Sequence, residues 1–105
     1  MTIYLIRHAQ SAFNAVHDPN KPDPMIFDAP ITELGKTQAI QARSEVEKFE
    51  IKNVIVSPFT RTLQTALLIF GKNNFLYDSI KYYTINTRKS FKQLLKSYIF
   101  NSFYL

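Results

Sequence analysis

The chain has 105 residues, 46% of them hydrophobic and 14% aromatic, with no cysteine and a net charge of +5. That length fits one compact domain and is short for two, the composition excludes a disordered chain, and the lack of cysteine excludes disulfides and thiolate metal sites. The positive balance sits in the tail: residues 1–74 carry eight Lys/Arg against seven Asp/Glu, while residues 75–105 carry five against Asp78 alone.

Residues 2–6 (TIYLI) form a short β-branched and aromatic run that predicts a buried strand. The N-terminal segment has no basic n-region and no apolar h-region of signal-peptide length, which sets the expected location in the cytoplasm. No apolar run approaches the ~20 residues of a membrane span, so no membrane partner is expected. Residues 10–16 predict one or two helical turns opened by Ser11 or Gln10. Residues 17–30 carry Pro19, Pro22, Pro24 and Pro30 among Asp and Asn, the composition of a surface loop. Thr32 reads as the N-cap of an amphipathic helix over 33–49, with Leu34, Ala39 (or Gln38), Ala42, Val46 and Phe49 near a 3–4 residue spacing. Gly35 is an awkward residue in its first turn, costing up to about 1 kcal/mol against Ala.

Residues 53–56 (NVIV) predict a second strand, apolar throughout as in a strand covered on both faces. Ser57-Pro58 predicts a helix opening, with Ser as cap and Pro at the first helical position. Residues 59–70 read as that helix and Gly71 as its stop. The order strand, loop, helix, strand, helix predicts an α/β sandwich with a parallel sheet and right-handed crossovers. After residue 74 the composition changes. Residues 75–105 contain no Ala, Val, Gly, Pro or Glu, and nine of the 31 are Phe or Tyr. A strand within 76–84 and a helix at about 87–100 are the elements expected there. The aromatic tail with Tyr82-Tyr83 predicts an exposed patch through which two copies pair or aggregate.

Ligands of an α/β sheet bind at the carboxyl ends of its strands. The first strand delivers Arg7 and His8. The second delivers Ser57-Pro58 and, one turn on, Arg61. If the strands are neighbours, these side chains converge. Two guanidiniums around an imidazole suit a phosphoryl group, because Arg matches phosphate oxygens in a fork and stays charged. Helix N-termini after each strand would add N–H donors. A neutral imidazole in that field is a nucleophile toward phosphorus, forming a phosphohistidine that water or a second acceptor discharges. The plainer alternatives are a strand-end His8 satisfied by backbone, a surface Arg61, and Arg7 paired to Asp18 or Asp28. His17 reads as a solvated loop residue, and Glu33 as a carboxylate placed for the helix macrodipole.

Three segments carry a resemblance. "LIRHAQSAFN" resembles the Arg-His-Gly signature of the histidine phosphatase superfamily, also called the phosphoglycerate mutase-like family. "APITELGKTQA" is similar to its second segment, and "VIVSPFTRTLQTA" to its third, in the family's order over residues 3–67. The resemblance implies the N-terminal half of a phosphoglycerate mutase-like α/β sandwich and chemistry on a phosphorylated small molecule, with no metal and no cofactor. By that resemblance His8 would be the phosphorylated nucleophile, Arg7 and Arg61 would clamp the phosphate, and Asn14 and Ser11 would be further donors. Position 9 is Ala where the family usually has Gly, so a glycine-type backbone angle there would be strained.

The family also uses a second, late histidine and an acidic proton donor. This chain has only His8 and His17, and its only acid after residue 50 is Asp78. The expectation is a domain cut short after about residue 74, with 75–105 as a foreign continuation. Two functional readings follow. One is a feeble phosphomonoesterase working through phospho-His8, with mutase against phosphatase left open. The other is a non-catalytic remnant that binds phosphate-like anions. Nucleic-acid binding through the tail ranks last, because the tail has no reading motif.

Overall fold

The computed structural model describes residues 2–71 and the backbone of residues 80–81. The expected helix at 87–100, the rest of the 76–84 strand and the aromatic pairing patch lie outside the described residues. Among the described residues, α1 spans Ala12–Val16, α2 Glu33–Val46, β1 Val54–Ile55, α3 Thr60–Phe70 and β2 Ile80–Lys81. No helix among them is long and apolar enough to cross a membrane.

Strand β1 pairs with β2 in parallel, Val54 opposite Ile80 and Ile55 opposite Lys81. Helix α3 lies between them in the chain, so the unit is β-α-β, the connection a parallel pair requires. Residues 2–6 are the first correction, since they form no strand among the described residues. Apolar β-branched residues supply propensity, but a ladder also needs a partner. The segment still keeps a strand's alternation. Ile3 and Leu5 are 73% and 94% exposed, against 44% and 46% for Tyr4 and Ile6. Tyr4 turns inward onto Phe49, with ring centroids 4.4 Å apart.

Strand β1 is the second correction. Val54 and Val56 are buried but Ile55 is exposed, so one face is covered among the described residues and the other is not.

Helix α1 opens on Ser11 through a capping box with Asn14. The segment around it is clamped to the start of α2. The Ala12 amide donates to the Pro30 carbonyl (2.8 Å) and the Thr32 amide to the Gln10 carbonyl (2.9 Å). Thr32 caps α2 as expected, its hydroxyl accepting from the Gly35 amide. The helix ends at Val46 rather than 49. Its buried face runs through Gly35 and Ala39, with Ala42 and Val46 packed below. Leu34 points outward instead, because Gly35 takes the inward position of the first turn. Helices α2 and α3 enclose a core of Ala9, Ile31, Ala39 and Ile69, and a second cluster of Val54, Val56, Leu63 and Ala66 lies under α3. Phe70 touches both clusters. Arg43 fastens the two helices by donating from Nε (2.9 Å) and Nη2 to the Leu68 carbonyl.

Helix α3 does not begin on Ser57-Pro58. Its N-cap is Phe59, which offers no side-chain oxygen. The acceptor comes from the loop: Asp28 takes hydrogen bonds from the Thr60 amide (2.8 Å) and hydroxyl (2.5 Å). A carboxylate there meets both the orphan N–H and the positive end of the helix dipole. Asp28 holds this position with φ of 45°, a left-handed conformation that Asp tolerates better than most residues. Replacing Asp28 with Ala should therefore cost about 1–2 kcal/mol, while Asp28→Asn should keep most of the stability. Urea denaturation midpoints check both, and equal midpoints for Asp28→Ala and the parent would show the cap to be idle.

Gly71 ends α3 as expected, though with φ of −71° and not in the left-handed region.

Candidate functional site

His8 sits where the N-terminal segment meets α3. The Ala9 amide that follows it donates to the buried Thr65 hydroxyl at 3.1 Å. That hydroxyl in turn donates to the Arg61 carbonyl at 2.7 Å. One side chain thus ties the backbone beside His8 to the helical turn that carries Arg61. Ala9 is buried and does not adopt a positive φ, so the strain expected of Ala in place of Gly is absent. Positive φ occurs instead at Met25 and Asp28.

The imidazole is held at both nitrogens. Nδ1 lies 2.8 Å from the Ala9 carbonyl oxygen. A carbonyl can only accept, so Nδ1 carries the proton and the neutral ring keeps its lone pair at Nε2. That lone pair faces the Arg61 guanidinium, with Arg61 Nε 3.3 Å from His8 Nε2. Arg61 itself is steadied over the Phe59 ring, 4.6 Å from Cζ to the centroid.

The two side chains open onto a cleft of about 330 Å³, whose polar wall also includes Ser11 and Asn14. Ser11 is 1% exposed and its hydroxyl donates to Asn14 Oδ1 at 2.8 Å. Its single proton is therefore already placed, and the Asn14 carboxamide N–H₂ is the donor this pair can still offer a ligand. Three of the amides at the start of α1 are engaged as well. Ser11 N–H donates to Asn14 Oδ1, Ala12 N–H to Pro30, and Asn14 N–H to Ser11 Oγ.

The structure brings together four of the five expected residues, His8, Arg61, Asn14 and Ser11. Arg7 is the exception, exposed and outside the lining. The alternation of residues 3–8 explains it: His8 falls on the inward side with Tyr4 and Ile6, so Arg7 falls outward with Ile3 and Leu5. Nor does Arg7 pair with Asp18, which lies 3.7 Å from Lys21, or with Asp28, which caps α3. His17 is outside the lining too, stacked on Phe13 with centroids 4.9 Å apart. Glu33, in the first turn of α2, accepts from Lys36 at 2.6 Å.

Sequence reasoning missed the apolar lining residues of the cleft, Phe13, Ile26 and Ala29. Ile26 and Ala29 come from the Pro-rich loop, and no periodicity marks them.

Residues 3–81 match the family described as Histidine phosphatase superfamily (branch 1). The chain belongs to this superfamily. Its fold is accordingly of the α/β class. The match runs past residue 74, where the composition changes, and takes in β2.

Among relatives, the chain is 43% identical over 77 residues to Phosphoglycerate mutase-like protein 1 of Arabidopsis thaliana, covering 67% of this chain and 27% of that protein. It is 40% identical to Phosphoglycerate mutase-like protein 2 of the same plant, covering 67% of this chain and 22% of the relative. Against the Probable phosphoglycerate mutase GpmB of Cronobacter sakazakii it is 32% identical over 69 residues, covering 66% and 30%. The chain thus spans less than a third of the length of these relatives. No solved structure matches it.

Proposed function

We propose that this histidine phosphatase superfamily chain binds the phosphate of a phosphorylated small molecule between His8 and Arg61, in a parallel-sheet sandwich of the phosphoglycerate mutase-like type, and acts on it through His8. A cysteine-free chain suits the reducing cytoplasm as its location. One observation carries the reading: the Nδ1–H tautomer fixed by Ala9 aims the Nε2 lone pair at the guanidinium and into the cleft. A phosphate dianion would take the Arg61 Nε–H that now points at His8 Nε2, bringing phosphorus to the ring nitrogen. The Nε2 lone pair then forms the P–N bond as the ester P–O bond breaks, and the alcohol leaves with a proton taken from solvent. Water next attacks phosphorus, the P–N bond breaks, and orthophosphate and neutral His8 are regenerated. The Ala9 carbonyl stabilises the positive charge on the ring while it is phosphorylated.

A second reading, anion binding without turnover, is favoured by the lining. No carboxylate faces the cleft among the described residues, so none of these supplies a positioned acid for the leaving oxygen. Such a group contributes about 10²–10⁴-fold. Incubation with radiolabelled phenyl phosphate, quenched in alkali, separates the readings. An acid-labile label on His8, lost in His8→Asn, supports turnover. No label, with His8 ring resonances shifted by orthophosphate, supports binding alone. Neither signal would sink both.

A further inference from the structure

The cleft is larger than a phosphoryl group needs, and its lining is part polar and part apolar. Its volume of about 330 Å³ lies at the lower end of small-molecule pockets, which run to roughly 300–1,000 Å³. Its lining combines the polar side chains of His8, Ser11, Asn14 and Arg61 with the apolar ones of Phe13, Ile26 and Ala29. Among the described lining residues Arg61 is the single permanent charge. A ligand carrying a carboxylate besides its phosphate would bring a second anion to these described residues, whose one permanent charge the phosphate already engages.

The loop contributes Ile26 and Ala29 to this lining. Met25 and Asp28, at φ 55° and 45°, bracket Ile26. Each is tied down: the Met25 amide donates to Asp23 Oδ1 at 2.7 Å, and Asp28 caps α3. Between these fixed points Ile26 turns in to the cleft, while Met25 and Phe27 stay 66% and 82% exposed. Phe13 is held from the other side by its stack on His17, one helical turn away.

We infer that the alcohol portion of the phosphomonoester this cleft takes is apolar, an aryl or alkyl group seated against Phe13 and Ile26, and not an acidic one such as glycerate. The inference rests on the phosphate-binding reading above but not on turnover.

Its test is a comparison of affinities for the unmodified chain, followed by NMR. The probes are orthophosphate, 1-naphthyl phosphate and 3-phosphoglycerate. Apolar contact should make 1-naphthyl phosphate bind at least about tenfold tighter than orthophosphate, with 3-phosphoglycerate no tighter than orthophosphate. In Ile26→Ser and Phe13→Ala the ratio of naphthyl phosphate to orthophosphate affinity should fall toward one, and Ile26→Leu should restore it. The ratio is the readout because unfolding lowers both affinities together. Tighter binding of 3-phosphoglycerate, or a ratio unmoved by both variants, overturns the inference. Loss of orthophosphate binding itself would instead overturn the earlier reading, and with it this one.

Discussion

Gly35→Ala should destabilise the chain by about 1–3 kcal/mol, although Ala is the better helix former. A Cβ added at Gly35 would stand 2.3 Å from the Gln10 carbonyl oxygen and 3.1 Å from Ile31 Cβ. No flexible side-chain end can yield here, because the nearest atom is backbone. That same carbonyl accepts the Thr32 amide, and the Thr32 hydroxyl accepts the Gly35 amide at 3.0 Å. Moving α2 outward to make room would therefore loosen its own cap and the clamp between residues 10–12 and 30–32. The gain from helix propensity, up to about 1 kcal/mol, is smaller than that loss. A thermal midpoint lowered by several degrees is the expected reading, at roughly 4–8 °C per kcal/mol for a domain of this size. A raised midpoint would show that the backbone gives way freely, and the packing described around Gln10 would then be wrong. The effect should also reach the site, since Gln10 lies two residues from His8.

The case of Gly35 shows what the sequence could and could not express. Propensity marked it as a misfit in a helix start. The reason, a carbonyl approaching from 25 residues earlier, is a tertiary fact. Caps and loops built from nearby residues were legible: Ser11, Thr32 and the Pro-rich segment fell where local chemistry put them. The Ser57-Pro58 signal was local as well, yet the acceptor for α3 came from Asp28, 32 residues away. The strand at 2–6 failed for the same reason, because apolar alternation states which face is inner without supplying a partner strand. In the site, His8 and Arg61 were legible because each stands at a segment end with a recognisable motif. Arg7 shares that motif, but the alternation that turns His8 inward turns it outward. Thr65, which connects the two halves of the site, lies in the third family-like segment, but its place inside a helix gave no sign that its hydroxyl joins the backbone beside His8 to Arg61.

Arg61→Met should weaken orthophosphate binding about 10–100-fold, the scale of losing hydrogen bonds to a charged group. Where His8-dependent turnover is measurable, it should fall about 10²–10³-fold, as when a pre-aimed donor is removed from a transition state. Met keeps much of the stem's length and apolar contact, so the fold should persist. Arg61 is only half-buried, and its carbonyl bond from Thr65 is made by the backbone. Arg61→Lys separates charge from geometry. An ammonium restores a positive point but not the planar fork, and it cannot offer the Nε donor now 3.3 Å from His8 Nε2. Binding should recover in part while turnover stays low. If Arg61→Met bound orthophosphate as the parent does, the phosphate would have to be held elsewhere. The other cation-bearing candidate of the same motif is Arg7, which faces away from the cleft, so the measurement decides between the pocket described here and an outer surface.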